Sequence, residues 1–339
     1  MLALGLTCFV TSALSGETQI WYLSFLLLLL NLFSSVQDIA VDSLAVTILD
    51  PNELGAGNTV QVVAYKAGSM FAGGLLLIVR EAFGWQVMFL AFGSIYLIAI
   101  ALTSQFDMVE DKEHHKDERS SHSQSFRHIL KVDGTAWMIA FVLFYKLCER
   151  AEQTFALYLV DKKVPREELA VLSTFIRAFS ILGSTASGIA LTRRYLSSRS
   201  LVALFSISRA VTIAGLSCVV LSWGLEPTDF ANQSDHFYKY VGFLFICLTS
   251  IGAGGITTAT FTMMMQLSQK AGMQIQGTHY SLLATSEVLG KLIFAAVAGW
   301  LSDLVGLQIM FVSFTVLACI VFPFIQSAPK SVTNFKDVR

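Results

Sequence analysis

Two aspartates, Asp38 and Asp42, lie four residues apart near the end of an apolar stretch that begins near Tyr22. Four residues are about one turn of an α-helix, so the two carboxylates share one face. A charged side chain at the centre of a membrane helix costs roughly 2.5–3.5 kcal/mol, and such residues usually mark a solute or proton pathway. The pair therefore predicts a proton-accepting or cation-binding site. The alternative is a structural partner for Lys66 or for the cations near residue 146.

A second group of charges lies in another apolar run. Lys146, Glu149 and Arg150 occupy positions i, i+3 and i+4, so they form one charged face of a helix. Lysine and arginine donors on such a face would clamp an anionic or zwitterionic solute. The alternative is a cluster that neutralises itself.

Further polar residues in the apolar runs are candidates for the same pathway. Glu287 and Lys291 are four residues apart, and they are predicted either to pair with each other or to contact solute. The other candidates are Tyr65, Lys66, Tyr145, Arg177 and His279.

These charges are exceptions in a strongly apolar chain. Of its 339 residues, 54% are hydrophobic and 14% are charged, whereas soluble domains carry about 25% charged residues. The apolar residues form long blocks that are predicted to cross a bilayer, although the first is short for a span. The sequence thus predicts an all-α, multi-pass membrane protein with ten helices, at 1–14, 22–49, 56–79, 85–105, 136–160, 168–192, 201–223, 238–264, 277–303 and 307–326.

One long polar segment divides these runs. We predict a partial N-terminal bundle of four helices at 1–105, a charged linker at 106–134, a six-helix bundle at 135–327 and a tail at 328–339. Lysine and arginine are enriched in the loops on the linker's side, which predicts that the linker and the C-terminus are cytoplasmic. Asn232, which begins an Asn-Gln-Ser glycosylation sequon, falls on the outer side.

Several functional classes are disfavoured. The net charge of −1 shows no basic stripe, which argues against a nucleic-acid partner. The five cysteines are widely spaced in apolar runs, without disulfide or zinc spacing. No nucleophile elbow or paired histidine ligands indicate an enzyme or a cofactor. The linker histidines lack metal-ligand spacing: His114, His115, His122 and His128.

A short internal echo indicates a repeat. The segment from Gly84 to Phe89 matches the segment from Gly306 to Phe311 at glycine, glutamine, methionine and phenylalanine. If these are equivalent points, the repeating unit contains six helices. Because only four helices precede the linker, we expect the chain to begin inside a helix, at an internal methionine. The alternatives are a signal-like start and a native ten-helix start.

Three motifs follow one another along the chain: Gln37-Asp38-x-x-x-Asp42, Tyr65-Lys66-x-Gly68 and Tyr145-Lys146-Leu147-x-Glu149. In this order they resemble the fourth, fifth and seventh helices of the muropeptide permease and acetyl-coenzyme A transporter branch of the major facilitator superfamily. The segment 276–283 resembles its eleventh helix. The resemblance implies the fold of that superfamily, without its first two helices.

The same resemblance implies a function. It implies a secondary transporter that moves a small organic solute such as acetyl-coenzyme A by alternating access, with coupling to protons. The alternative is a truncated form that does not transport and that associates with a full-length carrier. The implied partners are the solute, protons and the lipid bilayer.

Overall fold

The computed structural model describes residues 1–14, 20–105, 129–272 and 275–333, and for 72–81, 148, 330 and 333 it describes the backbone alone. Most of the predicted linker, with its four histidines, lies outside these residues. The described part is almost entirely helical and contains no strand. Its helices are α1 (Leu2–Ser12), α2 (Ile20–Ile48), α3 (Leu54–Thr103), α4 (Thr135–Tyr145), α5 (Arg150–Asp161), α6 (Arg166–Thr192), α7 (Ser198–Trp223), α8 (Gln233–Gln269), α9 (Gln276–Val305), α10 (Leu307–Gln326) and α11 (Lys330–Thr333).

Long apolar helices dominate this fold. Seven helices of the described part are long and apolar enough to cross a membrane. The prediction of an all-α, multi-pass membrane protein is therefore confirmed. The predicted runs correspond to described helices when α3 is divided at Gly84 and when α4 and α5 are taken together.

The glycines of the internal echo share one unusual backbone conformation. Gly84 has φ 81° and interrupts α3, and Gly306 has φ 83° and separates α9 from α10. Positive φ is readily available to glycine and strained for other residues. Each glycine thus lets one helix end and the next begin without a loop, which supports the view that the two segments are equivalent points of a repeat.

The predicted span 136–160 is interrupted rather than continuous. A 3₁₀ turn at Lys146–Glu149 lies between α4 and α5. In a 3₁₀ turn the side chains at i and i+3 eclipse each other, so Lys146 stands directly over Glu149. The regular α-helical face predicted for Lys146, Glu149 and Arg150 is therefore wrong in its geometry.

The chain divides into two compact units, Met1–Leu44 with Phe71–Phe126, and Ala45–Met70 with Arg127–Arg339. In the first unit, α1 packs closely against α3 at Gly93, where the ring of Phe9 leaves no room for a Cβ. The predicted division into 1–105 and 135–327 stays a prediction.

Side-chain hydrogen bonds explain why Ala45–Met70 belongs to the second unit. Asn58 Nδ2 donates to the carbonyl of Thr258 at 2.7 Å and to Thr262 Oγ1 at 2.9 Å. Gln269 Nε2 donates to the carbonyl of Leu49 at 2.8 Å. These long-range bonds join the start of α3 and the turn before it to α8.

Glycines bring α6 and α8 into backbone contact within the second unit. A Cβ at Gly183 would lie 2.0 Å from the carbonyl oxygen of Ile251, and one at Gly254 would lie 2.0 Å from the carbonyl oxygen of Ser180. Small residues allow this approach in membrane helices, where packing rather than a hydrophobic driving force holds helices together. The two helices therefore form a closely packed pair.

Candidate functional site

A buried ion-pair network lies where α4 gives way to α5. Lys146 Nζ is 2.8 Å from both carboxylate oxygens of Glu149 and 2.5 Å from Oε1 of Glu287 on α9. Only 6% of Lys146 and 5% of Glu287 is exposed. We call Lys146, Glu149 and Glu287 the ionic cluster. One ammonium is shared by two carboxylates, so the cluster has a formal charge of −1 when all three groups are ionised.

The residues around the helix break hold this cluster in place. Arg209, on α7, is 1% exposed and donates from Nη2 to the carbonyl of Tyr145 at 3.0 Å. The last carbonyls of a helix have no partner inside that helix, so this bond satisfies one at the end of α4. The hydroxyl of Tyr145 donates to Glu287 Oε1 at 3.4 Å. Arg209 therefore acts on the cluster through the backbone of the break.

A second cation, which is half-buried, lies on α3. Lys66 Nζ donates to Ser184 Oγ at 2.7 Å, to Ser180 Oγ at 2.8 Å and to the carbonyl of Ser180 at 3.4 Å. Ser184 Oγ also donates to the carbonyl of Gly254 at 3.1 Å. The partners of this ammonium are neutral oxygens, in contrast to those of Lys146.

Electrostatic interactions connect Lys66 with the ionic cluster. Its charge interacts with those of Lys146 and Glu149 and with that of Glu152 on α5. Arg209 interacts with Glu149 and Glu152 in the same way. Together these groups comprise three cations and three carboxylates in the interior of the second unit. Attraction between the opposite charges offsets part of the desolvation cost of burying each group.

Three buried atoms of this region lack a hydrogen-bond partner in the part of the chain that the structure describes. They are Nη1 of Arg209, Oε1 of Glu152 and Nε of Arg150. Arg150, the third member of the predicted charged face, donates to the side chain of Gln153 instead. Arg150 is therefore not part of the ionic cluster.

The remaining predicted site residues lie in several places. Asp38 is exposed and Asp42 is half-buried on α2, in the first unit. The α9 residue Lys291 is exposed, and Glu287 contacts Lys146 in the structure. The predicted Glu287–Lys291 pair is therefore replaced by a contact between helices. Of three others, Tyr65 is exposed, Arg177 is half-buried and Asn232 is exposed at the start of α8.

His279 belongs to another network. It is fully buried, and its two ring nitrogens lie 2.8 Å from Thr135 Oγ1 and 2.8 Å from Ser268 Oγ. It precedes Glu287 by eight residues, or about 12 Å along a helix. These contacts tie α9 to α4 and α8, and a role of His279 in the pathway stays a prediction.

Sequence reasoning missed three polar residues of this region. Ser180 and Ser184 escaped notice because serine is common in membrane helices, although their i, i+4 spacing places them on one face. Arg209 was missed because no opposite charge lies three or four residues away from it in the sequence. Its partner is a backbone carbonyl, which carries no sequence signal.

Two more buried lysines lie outside the cluster. Lys162 Nζ donates to the carbonyls of Trp223 at 3.1 Å and Glu226 at 2.6 Å, and burial lowers the pKa of Lys162. Lys239 pairs with Glu168 at 2.9 Å. Both lysines thus stabilise the ends of helices or the loops beside them.

Among the described residues, no group of histidine, cysteine, aspartate and glutamate side chains could hold a metal ion.

Comparison with known proteins identifies one family. The sequence profile of the Major Facilitator Superfamily matches residues 1–278. The chain is 24% identical to the anhydromuropeptide permease of Escherichia coli K12 over 298 residues, which is 86% of this chain and 57% of the relative. It is 28% identical to an uncharacterized protein of Haemophilus influenzae over 223 residues, 63% of this chain and 52% of the relative. The chain spans about half the length of these curated relatives.

Solved structures share the fold. An outward-facing bacterial homologue of the iron transporter ferroportin aligns with a TM-score of 0.65 and 17% identity, over 96% of this chain and 82% of that one. A single-residue variant of the Escherichia coli fucose:proton symporter FucP aligns with a TM-score of 0.62 and 12% identity, over 97% of this chain and 83% of that one. At these identities the likeness concerns the fold alone.

Proposed function

The chain belongs to the major facilitator superfamily, and on this premise we propose that it is a secondary active transporter of an organic solute. We propose that it works by alternating access, in which helical bundles rock about a central site. One observation carries the proposal: Lys146, at the break between α4 and α5, is buried and shared by Glu149 and Glu287. Solute and ion sites of transporters are typically formed where membrane helices are interrupted.

The energetics of the ionic cluster favour a functional role over a stabilising one. Replacing a buried ion pair with apolar residues of similar volume is often neutral or stabilising by about 1–4 kcal/mol. Stability alone therefore does not explain three charges held inside a membrane protein. Intramembrane ionisable residues commonly mark substrate pathways and proton relays.

We further propose that transport is coupled to protons. Protonation of Glu149 or Glu287 would remove one of the two carboxylates that hold Lys146, and the ammonium would then favour the other. Such an exchange of partners is a two-state element of the kind that a proton can bias. Asp38 and Asp42 on α2 are the proposed proton acceptors of the first unit, as their sequence spacing suggests.

The substrate that we propose is a large organic anion. The resemblance of the motifs favours acetyl-coenzyme A, and the permease relative suggests an anhydromuropeptide as a second candidate. The two molecules share amide groups and at least one anionic group. We also propose that the linker and C-terminus face the cytoplasm and that Asn232 carries a glycan on the opposite side.

Uptake by the purified chain in liposomes tests this proposal. Liposomes that contain the chain should accumulate labelled acetyl-coenzyme A or labelled anhydromuropeptide, and an inwardly directed proton gradient should stimulate the accumulation. Protein-free liposomes provide the background. Chain that is folded and inserted but that takes up neither solute would contradict the proposal. That result would favour the alternative from the sequence, a non-transporting form, which should then co-purify with a longer carrier.

A further inference from the structure

We propose that Lys66, with Ser180 and Ser184, forms the subsite that binds the anionic group of the solute. This inference rests on the proposed transport function and specifies which part of the region recognises substrate charge. The anionic group is a phosphate or a carboxylate, because both offer several oxygens to an ammonium and to hydroxyl donors. The sequence had favoured Lys146 for this role.

The groups that contact Lys146 and Lys66 indicate which of the two ammonium groups can bind an anion. Lys146 lies within 2.8 Å of two carboxylates, which together exceed its own charge. An anion approaching Lys146 would meet that negative excess. Lys66 contacts two hydroxyls and one carbonyl, and within the described part of the second unit no carboxylate forms a salt bridge with it. Its positive charge is therefore the one that can serve an incoming anion.

The donors around Lys66 suit an anion. The two serines lie one turn apart on α6, so their hydroxyls face the ammonium together. A hydroxyl that accepts from lysine keeps its own hydrogen for donation. Ser184 uses that hydrogen on the carbonyl of Gly254. Ser180 can donate its hydrogen to an oxygen of the solute, so the subsite offers an ammonium and a hydroxyl donor.

The backbone beneath the serines is fixed. Gly254 and Gly183 allow α6 and α8 to approach so closely that a Cβ at either position would lie 2.0 Å from a backbone oxygen. One of these oxygens is the carbonyl of Ser180 itself, which also faces Lys66 Nζ at 3.4 Å. A site is most selective when packing holds its donors in place before the ligand arrives. The glycine contact thus preorganises the subsite.

Access to Lys66 is compatible with solute binding. Lys66 is half-buried, whereas Lys146 is buried. Partial burial reduces the competition from water that weakens exposed ion pairs, and it leaves the ammonium reachable. Charge-assisted hydrogen bonds from such a group contribute about 1.5–3 kcal/mol, which corresponds to roughly a 10- to 150-fold change in affinity.

Binding by purified chain in lipid nanodiscs tests the subsite, with acetyl-coenzyme A as the phosphate probe and a labelled anhydromuropeptide as the carboxylate probe. S-acetylpantetheine, which lacks the phosphates, is the neutral match for the first probe. We expect Lys66→Gln to weaken at least one anionic probe about 10- to 150-fold and to leave S-acetylpantetheine unchanged. Lys66→Arg should restore much of the loss, and Ser180→Ala should weaken the same probe several-fold. The probe that responds identifies the anionic group.

Two controls separate the outcomes. Lys163→Gln removes a charge from an exposed loop residue and should leave all affinities unchanged. Lys146→Gln tests the competing assignment: a loss of affinity for the anionic probes at Lys146, with none at Lys66, would overturn the proposal. Equal losses of the anionic and neutral probes in Lys66→Gln would also overturn it. Because uptake by the unaltered chain tests transport separately, a wrong subsite leaves the proposed function standing.

Discussion

The ammonium of Lys146 lies 2.5 Å from Oε1 of Glu287, although the two residues are far apart in the sequence. The contact ties the interrupted helix formed by α4 and α5 to α9. Glu149, one 3₁₀ turn after Lys146, contacts the same ammonium from within the break. The cluster is therefore a meeting point of two helices, and a change in its protonation would be felt by both.

Removal of the shared cation should destabilise the fold strongly. Lys146→Met leaves the buried Glu287 and the half-buried Glu149 without their common partner, and breaking a buried ion pair costs about 3–5 kcal/mol. Thermal unfolding in detergent, followed by intrinsic fluorescence, measures the effect. Lys163→Met, at an exposed loop position after α5, should cost less than about 0.5 kcal/mol. Equal unfolding temperatures for the two variants would argue against the ion-pair geometry.

The aspartates of α2 should govern the response to a proton gradient. Asp38→Asn and Asp42→Asn keep the size of the side chain and remove its ability to ionise. If these carboxylates carry protons, each variant should lose the stimulation of uptake by the gradient. Asp50→Asn, in the exposed turn after α2, should behave like the unaltered chain. Unchanged dependence of uptake on external pH in both α2 variants would remove these residues from the coupling mechanism.

The close contact of α6 and α8 should tolerate no added methyl group. Gly254→Ala would place a Cβ 2.0 Å from the carbonyl oxygen of Ser180, and overpacking of this kind costs about 1–3 kcal/mol. Gly299→Ala is the matched control, because nothing lies within 4 Å of its Cβ. The control should be neutral or stabilising by up to about 1 kcal/mol through helix propensity. A Gly254→Ala variant as stable as the control would contradict the described packing.

Arg209 should act through the helix break. Arg209→Met removes the donor to the carbonyl of Tyr145 and a cation that interacts with Glu149 and Glu152. Leaving a buried acceptor unsatisfied costs about 1–3 kcal/mol, and the uncompensated carboxylates add to that cost. Arg209→Lys should recover part of the unfolding temperature because it retains the charge. If Arg209→Met melts at the temperature of the unaltered chain, the bond to the break contributes nothing.

The helices and their membrane setting were predictable because they depend on local composition. Runs long enough to cross a bilayer can be read directly from the sequence, and the echo at Gly84 and Gly306 marked two breaks that share one backbone conformation. The same reasoning singled out Lys146, Glu149 and Glu287, since charges in apolar helices are rare.

The pairing of these charges was not predictable in the same way. The sequence predicts that Glu287 pairs with Lys291 or contacts solute, whereas in the structure it contacts Lys146. This pairing depends on how α9 packs against the break, which no local spacing encodes. The 3₁₀ turn itself is stabilised by a bond from Arg209 to a backbone carbonyl. Backbone partners leave no trace in side-chain patterns, so the break was missed.

The most direct test replaces the whole ionic cluster by neutral groups of similar size. The triple variant Lys146→Met, Glu149→Gln and Glu287→Gln leaves no unpaired charge within the cluster, so it should be about as stable as the unaltered chain. We predict that this folded variant, reconstituted in liposomes, loses uptake of labelled acetyl-coenzyme A or anhydromuropeptide at least about 10-fold, which corresponds to about 1.4 kcal/mol. Uptake at the rate of the unaltered chain would show that the cluster only packs the helices, and it would contradict a role for the cluster in transport.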